Sequence, residues 1–324
     1  MNISQEALSS LTSLTGFRHD VVEKVVRLMN LLNTINSHTF LKGKLALKGG
    51  TALNVFIFEF PRLSVDIDLN YIGAIDRDEM LAEKPKIEQA LQAVFSREDY
   101  NIKRVPTEHA GGKWRLGYQN AAGRPGNLEI DLNFMLRQPL LKIKNLDSYS
   151  LGDFTVQSFP VLDFHELMAG KLAALFSRRQ ARDLFDVYEL LSLPDIDKKQ
   201  LRMAFVVYGA MNRKDWRTIS LDDVIFDSVE LDRMLLPVLN KKISEKISSS
   251  LPAFGENLVG QCRKKLSIVF PFSKSELEFL NAILDRGEIK PDLITEDSKL
   301  QNCISNHPML KWKALNVRKH FKLD

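Results

Sequence analysis

Two short runs constrain this chain more than anything else in it. Leu63-Ser64-Val65-Asp66-Ile67-Asp68-Leu69 and Leu128-Glu129-Ile130-Asp131-Leu132-Asn133-Phe134 both alternate apolar and polar residues without a break. A period of two belongs to a strand with one buried and one polar face. Side chains at i and i+2 share a face, so Asp66 and Asp68 project together, roughly 7 Å apart along the backbone. If the second run lies beside the first, Asp131 joins them. Three carboxylates on one face repel each other unless a cation sits among them, and Mg²⁺ takes hard oxygen ligands while leaving room for substrate phosphates. Two such ions about 3.5–4 Å apart would clamp the attacking and leaving oxygens of an in-line displacement. An isolated Asp-x-Asp also has a plainer reading, as the solvent face of a half-exposed strand.

Composition sets bounds on the class. The 324 residues predict about two domains, and 44% hydrophobic with 27% charged residues is ordinary for a globular protein. Two cysteines, Cys262 and Cys303, make neither a disulfide framework nor a zinc site and read as reduced thiols. Six histidines show no ligand spacing. The longest apolar runs, such as Met203–Val207, are too short for a membrane span, and the first residues lack the basic and apolar regions of a secretory signal. The expectation is a cytoplasmic chain with no membrane partner. A net charge of +4 marks no basic nucleic-acid module.

The pattern along the chain divides near residue 160. Before it, a helix is expected from His19 to Ile35 and a short strand from Leu45. A glycine turn at Gly49-Gly50 then leads into a helix through about Glu59, ended by Pro61. The strand Leu63–Leu69 follows, then an amphipathic helix over Asp78–Phe95 with Pro85 a candidate interruption. Trp114–Gln119 and Asn127–Phe134 read as an antiparallel hairpin around the turn-rich connector Asn120–Gly126, and Phe154–Phe159 as a last strand. His109–Lys113 reads as a flexible loop. Beyond Pro160 the pattern is helical, with breaks near Pro194, Pro252, Pro271 and Pro291. The expected fold is α+β: residues 1–160 form an α/β domain with a mixed sheet, and residues 161–324 a helical domain.

Lys48-Gly49-Gly50-Thr51 stands immediately before a predicted helix. Two glycines let backbone N–H groups approach a phosphate, and a helix start favours negative charge. A tight strand-to-helix turn needs the same residues. The pair precedes Ser64 and the Asp-x-Asp run by one short helix, which would set a phosphate cradle beside the carboxylates.

These residues carry a resemblance. Gly49-Gly50-Thr51-Ala52-Leu53 with Ser64-x-Asp66-x-Asp68-Leu69 resembles the first motif of the DNA polymerase β-type nucleotidyltransferases, and more narrowly the AbiEii/MenT group. These are the toxin halves of bacterial abortive-infection and type IV toxin–antitoxin systems. Lys171-Leu172-Ala173-Ala174-Leu175, Arg178 and Arg182-Asp183-Leu184-Phe185-Asp186 are similar to that group's later motif, in the same order and about 100 residues on. The resemblance covers roughly residues 40–190.

It implies a polymerase β-type core and an Mg²⁺-dependent transfer of a nucleoside monophosphate from an NTP to an acceptor, plausibly a tRNA 3′ end. Asp66, Asp68 and Asp131 would be the metal-binding and catalytic carboxylates, with Asp131 the general base or third ligand. Gly49, Gly50, Ser64, Lys171 and Arg178 would hold the nucleotide, and Asp183 would support the last motif, so that the helical domain completes the active site. A separately encoded antitoxin, which need not bind directly, is the implied partner. Two alternatives stay open: an acceptor that is a protein or small molecule, or a nucleotide-binding module without catalysis.

From the residues alone, Lys171 could equally be a solvated helix lysine, and Arg182-Asp183 a cap or local ion pair. His165 reads as a helix-start residue, and Trp114, Trp216 and Trp312 as core or partly buried aromatics. The acid-free tail Lys311–Lys322 reads as a solvated terminal helix or as a contact for an RNA backbone.

Overall fold

The computed structural model describes residues 3–108 and 110–323. It divides into two compact units. The first comprises Met1–Arg137, Ile143–Leu162 and Leu236–Ser249, and the second Gln138–Lys142, Asp163–Leu235 and Ser250–Asp324.

The first unit is built on a mixed seven-stranded sheet. Its strands are β1 (Leu45–Lys48), β2 (Asp66–Tyr71), β3 (Asn101–Arg104), β4 (Gly111–Gln119), β5 (Pro125–Asn133), β6 (Lys144–Leu146) and β7 (Phe159–Val161). Their order is β3-β4-β5-β2-β1-β7-β6. β2 runs parallel to β5 and antiparallel to β1, while β4 and β5 form the expected hairpin. Alternation decides the two faces. Ile67, Leu69, Trp114, Leu116, Leu128, Ile130 and Leu132 are buried, whereas Asp66, Asp68, Glu129 and Asp131 between them are only half-buried. Helix Arg77–Arg97 packs on the apolar side, where Phe95 meets Trp114 edge to face at 5.5 Å. Pro85 lies inside this helix without ending it.

Several boundaries differ from the sequence reading. β2 starts at Asp66 rather than Leu63, because the Leu63 N–H donates to the Val238 carbonyl (2.8 Å) instead of to a sheet neighbour. The last strand is Phe159–Val161, not Phe154–Phe159, since Ser158 adopts a left-handed φ of 48° that breaks the extended run. The helix after β1 begins at Gly49 itself and continues as a π turn over Ala52–Ile57. Gly111, Gly112 and Lys113 are not loop but the start of β4; His109 lies outside the described residues. Helix Gln5–Thr15 and strands β3 and β6 lie where no element was expected.

The second unit is helical. Its longer helices are Phe164–Arg178, Ala181–Leu190, Lys198–Ala210, Leu251–Lys265, Lys274–Arg286, Ser298–Asn306 and Pro308–Phe321. Phe176, Phe205, Trp216, Phe270 and Phe272 form its aromatic core. Gly209 is required there, because a Cβ would sit 1.9 Å from the Trp216 ring. The break expected near Pro252 falls between helices Lys241–Ser248 and Leu251–Lys265, and Pro252 itself sits in the first turn of the latter, where a missing N–H costs nothing. Trp312 is 49% exposed, unlike buried Trp114 and Trp216. Glu166 is fully buried and accepts the backbone N–H groups of Leu140 and Leu141 and the Tyr208 hydroxyl (3.0–3.1 Å), which ties Gln138–Lys142 to this unit. Burial pushes its carboxyl pKa up to about 7. No described helix is long and apolar enough to cross a membrane.

Candidate active site

The register of four strands sets two cations and two carboxylates in one line. β1 pairs Lys48 with Asp68, β2 pairs Asp68 with Asp131 of β5, and β5 pairs Asp131 with Lys113 of β4. Residues directly opposite each other project to the same face. The line therefore reads Lys48, Asp68, Asp131, Lys113 across the sheet, and the next one reads Asp66, Glu129, Arg115. Asp66, Asp68 and Asp131 are thus gathered on one face.

The electrostatics follow from this row. Burial raises the Asp131 carboxyl pKa; Lys48 and Lys113 pull it down, Asp68 pushes it up, and the net result is a raised value. Burial works against the charge on Lys113, but Glu129, 3.2 Å from its Nζ, outweighs that with help from Asp66 and Asp131. The ammonium pKa lies above the usual lysine value.

The glycine pair meets this row at its end. Gly49 has φ +73°, and a Cβ there would fall 2.2 Å from Asp68 Oδ2. Only glycine allows both the left-handed backbone and the close carboxylate. A Cβ on Gly50 would lie 2.9 Å from Ser64 Oγ and 3.0 Å from the guanidinium of buried Arg62. The Thr51 hydroxyl lies 3.1 Å from Ser64 Oγ and donates to the Asp66 carbonyl, which fixes the glycine turn against the segment entering β2. Gly49, Gly50, Ser64 and Asp68 therefore form one neighbourhood.

Lys171, Arg178 and Asp183 form a second cluster, in the helical unit. Lys171 is buried rather than solvated, with Nζ 3.0 Å from Asp183 and 2.9 Å from Asp186. Arg178 grips the same Asp183 through Nε (2.6 Å) and Nη2 (3.0 Å), with its side chain half exposed. Asp183 is not a helix cap. It lies in the first turn of Ala181–Leu190, after Gln180 at the cap position, and serves as a buried anion for two cations from the preceding helix. Burial alone would raise its pKa, but Lys171 and Arg178 outweigh it and hold the carboxyl below the usual range. Asp186 completes the cluster. His165 starts its helix as anticipated, between the Asp163 carboxylate and the Asp197 N–H.

Whether the first cluster suits a metal can be judged from its donors. Among the described residues, no group of three or more His, Cys, Asp or Glu side chains is gathered into a ready-made metal cage. Mg²⁺ rarely uses one. It keeps several waters and binds through one or two carboxylates plus substrate phosphates. Adjacent Asp68 and Asp131, with Asp66 in the next row and Gly49 leaving the Asp68 carboxylate uncrowded, fit that mode.

Lys48, Arg62, Lys113 and Glu129 belong to this neighbourhood and were not among the expected site residues. Lys113 has a retrievable signal. Counting back along the hairpin from Gln119 opposite Pro125 reaches Lys113 opposite Asp131. Arg62 has none, since its burial beside Gly50 depends on the chain's path between two elements.

Comparison with known proteins agrees with this geometry. A family model for the nucleotidyl transferase AbiEii toxin of type IV toxin–antitoxin systems matches residues 30–258, a stretch that holds both clusters. Among solved structures, the chain is similar to the MenT4 nucleotidyltransferase toxin of Mycobacterium tuberculosis, with 18% identity and a TM-score of 0.60 over 92% of this chain and 98% of that one. That likeness shows a common fold. No curated protein matches in sequence. With the family model spanning well over half of its length, the chain belongs to the AbiEii nucleotidyltransferase toxin family.

Proposed function

We propose that this chain is a cytoplasmic, Mg²⁺-dependent enzyme that transfers a nucleoside monophosphate from an NTP to the 3′ end of a tRNA and releases pyrophosphate. The observation that carries the reading is the in-register pair Asp68 and Asp131, with Asp66 alongside and the Gly49-Gly50 turn at the end of the row. Backbone N–H groups of Gly49 and Gly50, with the Ser64 hydroxyl, receive triphosphate oxygens. Asp131 accepts the proton of the attacking hydroxyl, a role suited to a carboxylate on the same face as Asp66 and Asp68 whose pKa burial raises above the usual aspartate value. Mg²⁺, held by Asp66, Asp68 and Asp131, would offset phosphate charge and order the oxygens of an in-line displacement. Lys171, Arg178 and Asp183 belong to the same activity. Lys171 and Asp183 act there as a buried scaffold, and Arg178 offers the half-exposed guanidinium. The acid-free terminal helix Pro308–Phe321, with exposed Lys311, Trp312 and Lys319, supplies RNA-backbone contacts.

Purified protein with α-labelled NTPs, Mg²⁺, and either total RNA or total protein tests this. Label at RNA 3′ ends is expected; label confined to protein overturns the tRNA assignment. Expression should arrest growth, and the Asp66→Ala protein should not. Equal arrest by both would exclude a catalytic toxin. A separately encoded antitoxin is expected to relieve the arrest.

A further inference from the structure

We propose that Lys113 binds the triphosphate of the incoming nucleotide, an assignment that rests on the nucleotidyl-transfer reading above. Four carboxylates, Asp66, Asp68, Glu129 and Asp131, share one sheet face. A triphosphate adds more negative charge, so the face needs cations that can reach phosphate oxygens. Lys171 is committed elsewhere, its ammonium held by Asp183 and Asp186. In the carboxylate rows themselves the cations are Lys48, Lys113 and Arg115. Lys48 is half-buried at one end of the Asp68–Asp131 row, whereas Lys113, at the other end, has a side chain 53% exposed.

The backbone makes this placement a built one. Gly111 has φ +103°, and a Cβ there would fall 1.9 Å from the Leu132 carbonyl oxygen; Gly112 has φ +150°. Two glycines in conformations that other residues rarely adopt bring β4 hard against β5, and the next residue is Lys113, opposite Asp131. The double glycine is thus explained by the lysine it delivers.

The chemistry is an exchange of partners. Nζ is 3.2 Å from Glu129 Oε2, a half-exposed pair that contributes little and is readily given up. An ammonium has three donors, and lysine serves as a point charge for phosphate. When the nucleotide enters, Lys113 turns from Glu129 to triphosphate oxygens and stays there as charge builds on the leaving pyrophosphate. No bond to Lys113 forms or breaks, and its proton stays on Nζ.

The test compares full-length wild type, Lys113→Met and Lys113→Arg. Each of the four α,β-methylene NTPs is titrated calorimetrically with Mg²⁺, and steady-state transfer and thermal melting are measured alongside. Lys113→Met should melt like wild type, bind the analogue roughly tenfold to a hundredfold more weakly, lose kcat/KM for the NTP by a similar factor and keep its KM for the acceptor. Lys113→Arg should recover most of both losses. Wild-type affinity in Lys113→Met, or an effect confined to acceptor KM, overturns the proposal. If wild type binds the analogue but transfers nothing, the transfer reading fails while the binding comparison still decides on Lys113. If wild type binds none of the analogues, both fail.

Discussion

Lys171→Met removes a buried ammonium and leaves two buried carboxylates one helical turn apart. The lysine is 7% exposed, Asp183 1% and Asp186 0%, so water cannot make good the loss. Asp183 keeps Arg178, at 2.6 and 3.0 Å, whereas Asp186 loses the ammonium 2.9 Å away. Removing one partner of a buried pair costs about 3–5 kcal/mol, and the Arg178 grip places this case near the lower figure. For a domain of this size that lowers Tm by about 6–12 °C. The cost is pH-dependent. The Asp183 pKa is lowered in the folded state, so its contribution is present above the ordinary aspartate range and fades as pH falls through the folded value. The deficit of Lys171→Met should therefore shrink in acid. Circular dichroism melts at pH 7.5 and at pH 2.5 measure both effects, and adding Asp186→Asn should recover at least half of the loss at the higher pH. A Lys171→Met protein melting within about 2 °C of wild type, or one that Asp186→Asn leaves unimproved, would refute the scaffold role assigned to this lysine.

Three further outcomes follow from the geometry. Gly49→Ala forces a Cβ toward Asp68 Oδ2 at a left-handed position, and a displacement of about 1 Å at a reacting group costs about 100-fold; transfer within threefold of wild type would contradict the placement. Gly111→Ala must open the start of the β4–β5 ladder at the Leu132 carbonyl, with a loss of roughly 2–3 kcal/mol in urea denaturation and faster amide exchange at Leu132 and Phe134. Glu166 has a folded pKa raised from 4.5 to about 7, so its protonated form stabilises the fold below the ordinary glutamate range, and that stability is lost as pH rises through about 7. The loss is roughly 3 kcal/mol, and Glu166→Gln should flatten this part of the stability–pH curve; parallel curves would show that Glu166 does not titrate there.

What could be read in the sequence was what repeats locally. Asp66, Asp68 and Asp131 announce themselves because an alternating strand records its two faces in consecutive residues. The helix carrying Lys171 was visible for the same reason, at a different period. The cross-strand row was not, because Lys48, Asp68, Lys113 and Asp131 become neighbours only through strand order and register. Asn101–Arg104 and Lys144–Leu146 are short, mostly exposed edge strands with no apolar alternation to mark them. Gly111-Gly112 misled because a glycine pair usually interrupts structure, whereas here it permits a close approach of two strands. Asp183 resembled a cap because acids open helices, and its pairing with Lys171 and Arg178 depends on how two helices meet.

The return of Leu236–Ser249 to the first unit has a consequence for how the molecule is made. Val238 receives the N–H of Leu63, just ahead of β2, and Asn240 and Lys241 donate to the carbonyls of Thr15 and Gly16 at the end of the first helix. During translation the chain emerges from its N-terminus at about 5–20 residues per second. The aspartate strands therefore exist well before the segment that braces them, which arrives only after about three-quarters of the 324 residues. A nascent or truncated product ending near residue 160 has every carboxylate of the face and none of that brace. The brace on the aspartate strands thus becomes available only late in synthesis, a consequence of chain order alone.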